Sequence, residues 1–160
     1  MENALRLRHI FRLLLAQRDV LLLGTDDSSP VYDAAASNGV QQVYSIDCSI
    51  KRSIWPSLHE FLTRAVFAHR TASRDRFLLL LDHIDQLGKG GMLEDLLLQS
   101  RVSIPTVEGV ESVERPPNLH VLATADVRAD GLINHGNDCA LERPLANRFV
   151  VLRSDGLLVH

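Results

Sequence analysis

The sequence predicts an α/β fold: a three-layer αβα sandwich around a five-stranded, mostly parallel sheet. Three observations lead there. Short apolar runs recur along the chain, most of them closed by a small or acidic residue. Segments of helical periodicity separate the runs. The first of these runs, "DVLLLG", is a continuous apolar run, as a strand covered on both faces must be, whereas a sheet with one wet face would alternate. With 160 residues, 46% apolar and 23% charged, the chain has the material for one domain, residues 1–160, around a substantial core.

The first element, "MENALRLRHIFRLLLAQRD", reads as an amphipathic helix with Leu5, Ile10, Phe11 and Leu14 facing inward. Its apolar run is too short for a secretory signal, and Glu2 does not suit a mitochondrial presequence. "DVLLLG" (19–24) is the first strand and "QQVYSID" (41–47) the second. Between them Ser29 and Pro30 read as a cap and first helical residue, and Asn38-Gly39 as a stop. Trp55–His69 places Leu58, Phe61, Leu62, Ala65 and Val66 on one helical face. "RFLLLLD" (76–82) is the third strand, and the glycine-rich "GKGG" (88–91) precedes a leucine-rich helix at Met92–Gln99. "LHVLAT" (119–124) and "FVVLR" (149–153) complete the five. "SVERPPNL" (112–119) and the segment 128–144 read as irregular loops, suited to partner contacts.

The formal charge of −3 gives no pull toward nucleic acid or anionic membrane, and neither is expected as a partner. No apolar run reaches membrane-spanning length. Cys48 and Cys139 sit in no paired motif and read as thiols of a reducing compartment, so a cytoplasmic location is expected.

In parallel sheets ligands bind beyond the carboxyl ends of the strands. There the sequence places Gly24-Thr25-Asp26-Asp27, Asp82-His83-Ile84-Asp85 and Thr124-Ala125-Asp126, with Asn147-Arg148 just before the last strand. Polar and acidic groups thus gather at one sheet edge, with an arginine expected nearby. Adjacent residues at a strand end diverge, so Asp82, His83 and Asp85 do not form a convincing metal set. No G-x-S-x-G elbow supports a serine hydrolase. "GKGG" reads as a loop before a helix rather than as a phosphate nest.

These phrases together resemble the AAA+ ATPase core, a P-loop NTPase fold, over nearly the whole chain. "FLLLLDHIDQL" is similar to the Walker B strand, "NLHVLATADVR" to the sensor-1 strand, and "RPLANRFVVL" to the arginine-finger segment. The last two look closest to the dynein–midasin and MoxR/McrB branches, and "FLLLLDHIDQL…MLEDLLL" is similar to the fourth AAA module of dynein heavy chains. The resemblance makes Asp82 the Walker B aspartate that holds magnesium-bound water. It puts His83 in place of the catalytic glutamate, Asp126 in place of the sensor-1 asparagine, and Arg148 at the finger that reaches a neighbour's nucleotide. An aspartate cannot donate the amide hydrogen bonds of asparagine. For Arg148 an ordinary surface arginine is an equal alternative.

The phosphate loop departs most from the family pattern. With G-x-x-x-x-G-K-[ST] laid from Gly24, the second glycine becomes Ser29, the lysine Pro30 and the hydroxyl residue Val31. Proline brings no N–H and no charge, and valine cannot ligate magnesium. Asp26 and Asp27 add negative charge, and the chain's two lysines, Lys51 and Lys89, are remote in sequence. If nucleotide bound, Gly24, Thr25, Ser28 and Ser29 would face the phosphates, with ATP and Mg2+ as cofactors. Otherwise no cofactor is expected.

The expectation is therefore a degenerate, non-catalytic AAA+-like module docking with other AAA+ subunits or domains. The alternative is a divergent ATPase of motor or chaperone type using Asp82 and His83. The resemblance also implies a helical lid carrying sensor 2 after the core. The sequence stops soon after "VLRSDGLLVH", so a core without its lid is expected, as a fragment, a decayed gene product or one module of an assembly. A third reading is an α/β scaffold unrelated to nucleotides, which a strand order other than the 5-1-4-3-2 of AAA+ cores would favour.

Overall fold

The computed structural model describes residues 2–24, 28–49, 55–84, 92–125 and 148–153. Among them four helices and seven strands follow one another: α1 (Glu2–Leu15), β1 (Asp19–Leu23), α2 (Ser29–Ala34), a 3-10 turn (Ala36–Asn38), β2 (Gln42–Asp47), α3 (Trp55–Arg70), β3 (Phe77–Asp82), α4 (Met92–Gln99), β4 (Arg101–Thr106), β5 (Gly109–Glu114), β6 (Leu119–Ala125) and β7 (Phe149–Arg153). The five predicted strands are β1, β2, β3, β6 and β7. They form one sheet in the order β2-β3-β6-β1-β7, with every pairing parallel. Numbered one to five along the chain, that order is 5-1-4-3-2 from the β7 edge.

The uninterrupted apolar runs are explained by two cores, one on each face of the sheet. Leu21, Leu79, Leu81, Val121, Ala123 and Val151 pack with Leu58, Phe61, Leu62 and Ala65 of α3 and with Leu93, Leu96 and Leu97 of α4. The alternate residues Val20, Leu22, Leu78, Leu80, Leu122 and Leu152 pack with Ile10, Phe11 and Leu14 of α1 and with Val31 of α2. Successive side chains of a strand point to opposite faces, so each run feeds both cores. On α1 the inward stripe is Leu7, Ile10, Phe11 and Leu14. Leu5, expected inward, is 63% exposed. It falls on the far side of the 3.6-residue period from that stripe.

Two further expectations are corrected. Ser28, not Ser29, stands at the cap position of α2, and its side chain caps nothing; Ser29 opens the helix, with Pro30 in the first turn. Gly39 closes the following turn at φ 84°, a left-handed conformation that glycine adopts without a Cβ penalty. The segment 112–119 is not an irregular loop throughout. Its first residues belong to β5, which pairs antiparallel with β4 in a two-stranded hairpin outside the main sheet. Val102 and Ile104 of β4 are buried against the α3/α4 core, whereas Val107 and Val110 at the hairpin tip are exposed.

The amino edge of the sheet holds a buried polar network. Arg115 clamps Asp19 with two hydrogen bonds of 2.6 and 2.7 Å and also donates to the Leu119 carbonyl. His120, 1% exposed, lies against Arg76, whose Nη1 is 3.3 Å from the ring Nε2. Guanidinium has no acceptor, so Nε2 accepts and the neutral ring carries its proton on Nδ1. Burial, reinforced by Arg76 and Arg115 and opposed by Asp19, lowers the His120 pKa to about 4.

Candidate functional site at the carboxyl edge

The parallel register brings the ends of β1, β2, β3 and β6 to one edge. Gly24 leaves β1 at φ 86° and donates its N–H to the Ala125 carbonyl at 3.0 Å, tying the ends of β1 and β6 together. Asp82 closes β3 between β2 and β6. Its Oδ2 accepts the Ser28 hydroxyl at 3.1 Å, and its Oδ1 accepts the Thr124 hydroxyl at 3.0 Å. The Cys48 N–H donates to the Asp82 carbonyl at 2.8 Å. Thr124 is fully buried, and its oxygen also faces the His83 N–H at 3.4 Å.

His83 turns the chain at φ 57°, a left-handed conformation uncommon outside glycine, though histidine adopts it more readily than most side chains. The turn sends its ring toward β2, where Nδ1 lies 2.9 Å from Asp47 Oδ1. Asp47 also accepts the Ser49 hydroxyl at 2.6 Å and the Ser49 N–H at 2.9 Å. Ser49 first, and then His83, hold the Asp47 carboxyl below its ordinary range, against the opposing effect of burial.

A cleft of about 130 Å³ opens beside Asp82, lined by Ser28, Ser29, Tyr32, Asp33 and Ser45. Pockets for drug-sized ligands usually start at about 300 Å³. Its described lining carries two carboxylates and four hydroxyl groups, and no cation. Val31 is 2% exposed and packed in the α1/α2 core, where the phosphate-loop pattern would put a hydroxyl ligand. Magnesium in nucleotide sites leans on one or two carboxylates plus the substrate phosphates. Here Pro30 and Val31 offer phosphate and metal nothing, so the described residues do not fit a magnesium triphosphate. Among them, no group of three or more His, Cys, Asp or Glu side chains is placed to hold a metal ion.

Gly24, Ser28, Ser29, Asp82 and His83 therefore meet at one edge. Arg148 does not join them. It precedes Phe149, which pairs with Asp19 at the start of β1. That puts it at the opposite edge, offset from Asp82 by roughly 15 Å along the strand direction, the rise of a five-residue strand, and by three strands across the sheet. The reason is polarity: a residue before a parallel strand and a residue after one lie at opposite ends. Thr25, Asp26, Asp27, Asp85, "GKGG" (88–91), Asp126, the segment 128–144, Cys139, Asn147, Lys51 and Lys89 lie outside the described residues.

Two participants are absent from the sequence-derived set. Thr124 is the polar end of "LHVLAT", one of the strand-end residues, yet the family pattern points two positions further, to Asp126. Asp47 carries the same signal as Asp82, a carboxylate closing a strand. No protein-family model matches the chain, and no curated protein matches it.

Proposed function

We propose that this chain is a degenerate AAA+-like module that does not hydrolyse ATP and works as a structural or regulatory unit beside other AAA+ subunits or domains. The strand order supports the likeness, since it is the 5-1-4-3-2 order that the resemblance implies. The observation that carries the loss of chemistry is the opening of α2 against Asp82. Ser28 spends its hydroxyl on the carboxylate, Pro30 removes an N–H and a charge from the first turn, and Val31 turns into the core. A triphosphate would meet Asp33 and Asp82 with no described cation to offset them. In this reading Arg148, exposed at the amino edge, is offered to a neighbouring unit.

Titration calorimetry with magnesium and ATP tests the proposal, with no binding expected at millimolar nucleotide. A second reading, a divergent ATPase, is favoured by the Asp47–His83 contact. A carboxylate on Nδ1 would fix the tautomer and leave Nε2 as the basic nitrogen, as a general base requires. Micromolar ATP binding that Asp82→Ala abolishes would favour that reading.

A further inference from the structure

The amino edge of the sheet carries a row of arginines. Arg76 precedes β3, Arg18 precedes β1, Arg148 precedes β7, and Arg115 reaches the start of β6 through the Leu119 carbonyl. Two of the four are committed: Arg76 donates to His120, and Arg115 to Asp19 and Leu119. The guanidinium groups of Arg18 and Arg148 are exposed and have no partner among the described residues. Because Asp19 pairs with Phe149, these two arginines head adjacent parallel strands, whose backbones run about 4.8 Å apart.

They open onto a cleft of about 290 Å³, which Gln17, Ser100, Leu97 and Phe149 also line. Its rim is fixed. Gln17 and Ser100 both hold left-handed φ angles, 66° and 53°. Gln17 donates from Nε2 to the Pro117 carbonyl at 2.8 Å, and the Ser100 carbonyl accepts the Arg115 N–H at 2.8 Å. Among the described lining residues, Arg18, Arg115 and Arg148 stand against Asp19, three positive charges to one negative.

We propose that this cleft binds a phosphate monoester dianion. Arg18 and Arg148 clamp the phosphoryl oxygens, as guanidinium forks do. The Ser100 hydroxyl stands at the rim as a further donor. A carboxylate, with one charge, would leave one guanidinium unanswered. The site lies at the far end of the sheet from Asp82 and shares only Arg148 with the function proposed above; the ATP titration reports on the carboxyl edge and the titration below on this cleft, so either can fail without the other.

The test is calorimetric titration of the full chain with phenyl phosphate at about pH 8, where the ester is doubly ionised. Saturable 1:1 binding with a Kd below about 1 mM is expected. Arg18→Gln and Arg148→Gln should each weaken it by about tenfold or more, the loss of a charge-assisted hydrogen bond. Arg8→Gln, which removes an equal charge from exposed α1, should leave it unchanged. Benzoate should bind about tenfold more weakly than phenyl phosphate, for want of the second charge. The proposal is overturned by failure to saturate at about 10 mM ligand, by equal weakening in Arg8→Gln, or by unchanged binding in both cleft variants. Equal affinity for benzoate overturns the ligand class.

Discussion

The Ser28 hydroxyl donates to Asp82 Oδ2 at 3.1 Å across 54 positions of sequence. This contact joins the start of α2 to the end of β3, at the point where a phosphate-binding loop would face its magnesium aspartate. Both oxygens of the carboxylate are in hydrogen bonds, the other with Thr124. The edge behaves as a structural joint, and its strength can be measured.

Thr124→Val removes a fully buried hydroxyl that serves both Asp82 and the His83 N–H, and should cost about 1–3 kcal/mol in urea unfolding. Ser28→Ala should cost about 1 kcal/mol. Wild-type stability in both variants would remove the joint from the account.

His120 makes folding sensitive to acid. Its folded pKa of about 4 lies below the ordinary value of 6.5, so the unfolded chain binds more protons between those two values. Stability is complete above about pH 6.5 and falls as the pH drops toward 4, by roughly 3 kcal/mol at the limit. Urea midpoints measured between pH 7 and pH 4.5 check the slope. His120→Gln, which cannot titrate there, should flatten it.

The hairpin β4–β5 is anchored from one face only. Ile104→Ala, at a site 1% exposed, should destabilise by about 2–5 kcal/mol. Val107→Thr at the exposed tip should stay within about 0.5 kcal/mol. Equal effects at the two sites would contradict the packing of β4 on the α3/α4 core.

If the architecture of the phosphate loop is intact and only its grip is lost, restoring the grip should restore binding. The triple variant Ser29→Gly, Pro30→Lys, Val31→Thr supplies a flexible backbone, a cation and a hydroxyl at the start of α2. Fluorescent ATP analogues should bind the folded variant and not the wild type. A folded variant that remains blind to nucleotide would count against the loop's placement.

The main sheet was legible because strands covered on both faces must be written in uninterrupted apolar residues, as "FLLLLD" is. The hairpin was less so. Its burial signal rests on Val102 and Ile104, with Val113 partly buried, while Pro105, Val107 and the glutamates around them show no strand pattern. Asp82 and His83 could be found from their position after an apolar run, and Ser28 from the loop pattern, but their contacts could not. Asp47 reaches His83 through parallel register and a left-handed turn at His83, neither of which a linear pattern encodes. Arg148 shows the reverse failure. Its neighbours in sequence were read correctly as a strand, yet strand polarity carries it to the opposite edge from Asp82.

The central claim is that this carboxyl edge no longer grips a nucleotide. Calorimetric titration of the folded chain with magnesium and ATP tests it most directly. The account predicts no saturable heat up to about 1 mM nucleotide, a free energy no better than about −4 kcal/mol. Saturable binding in the micromolar range, abolished by Asp82→Ala in a variant that keeps its fold, would contradict it.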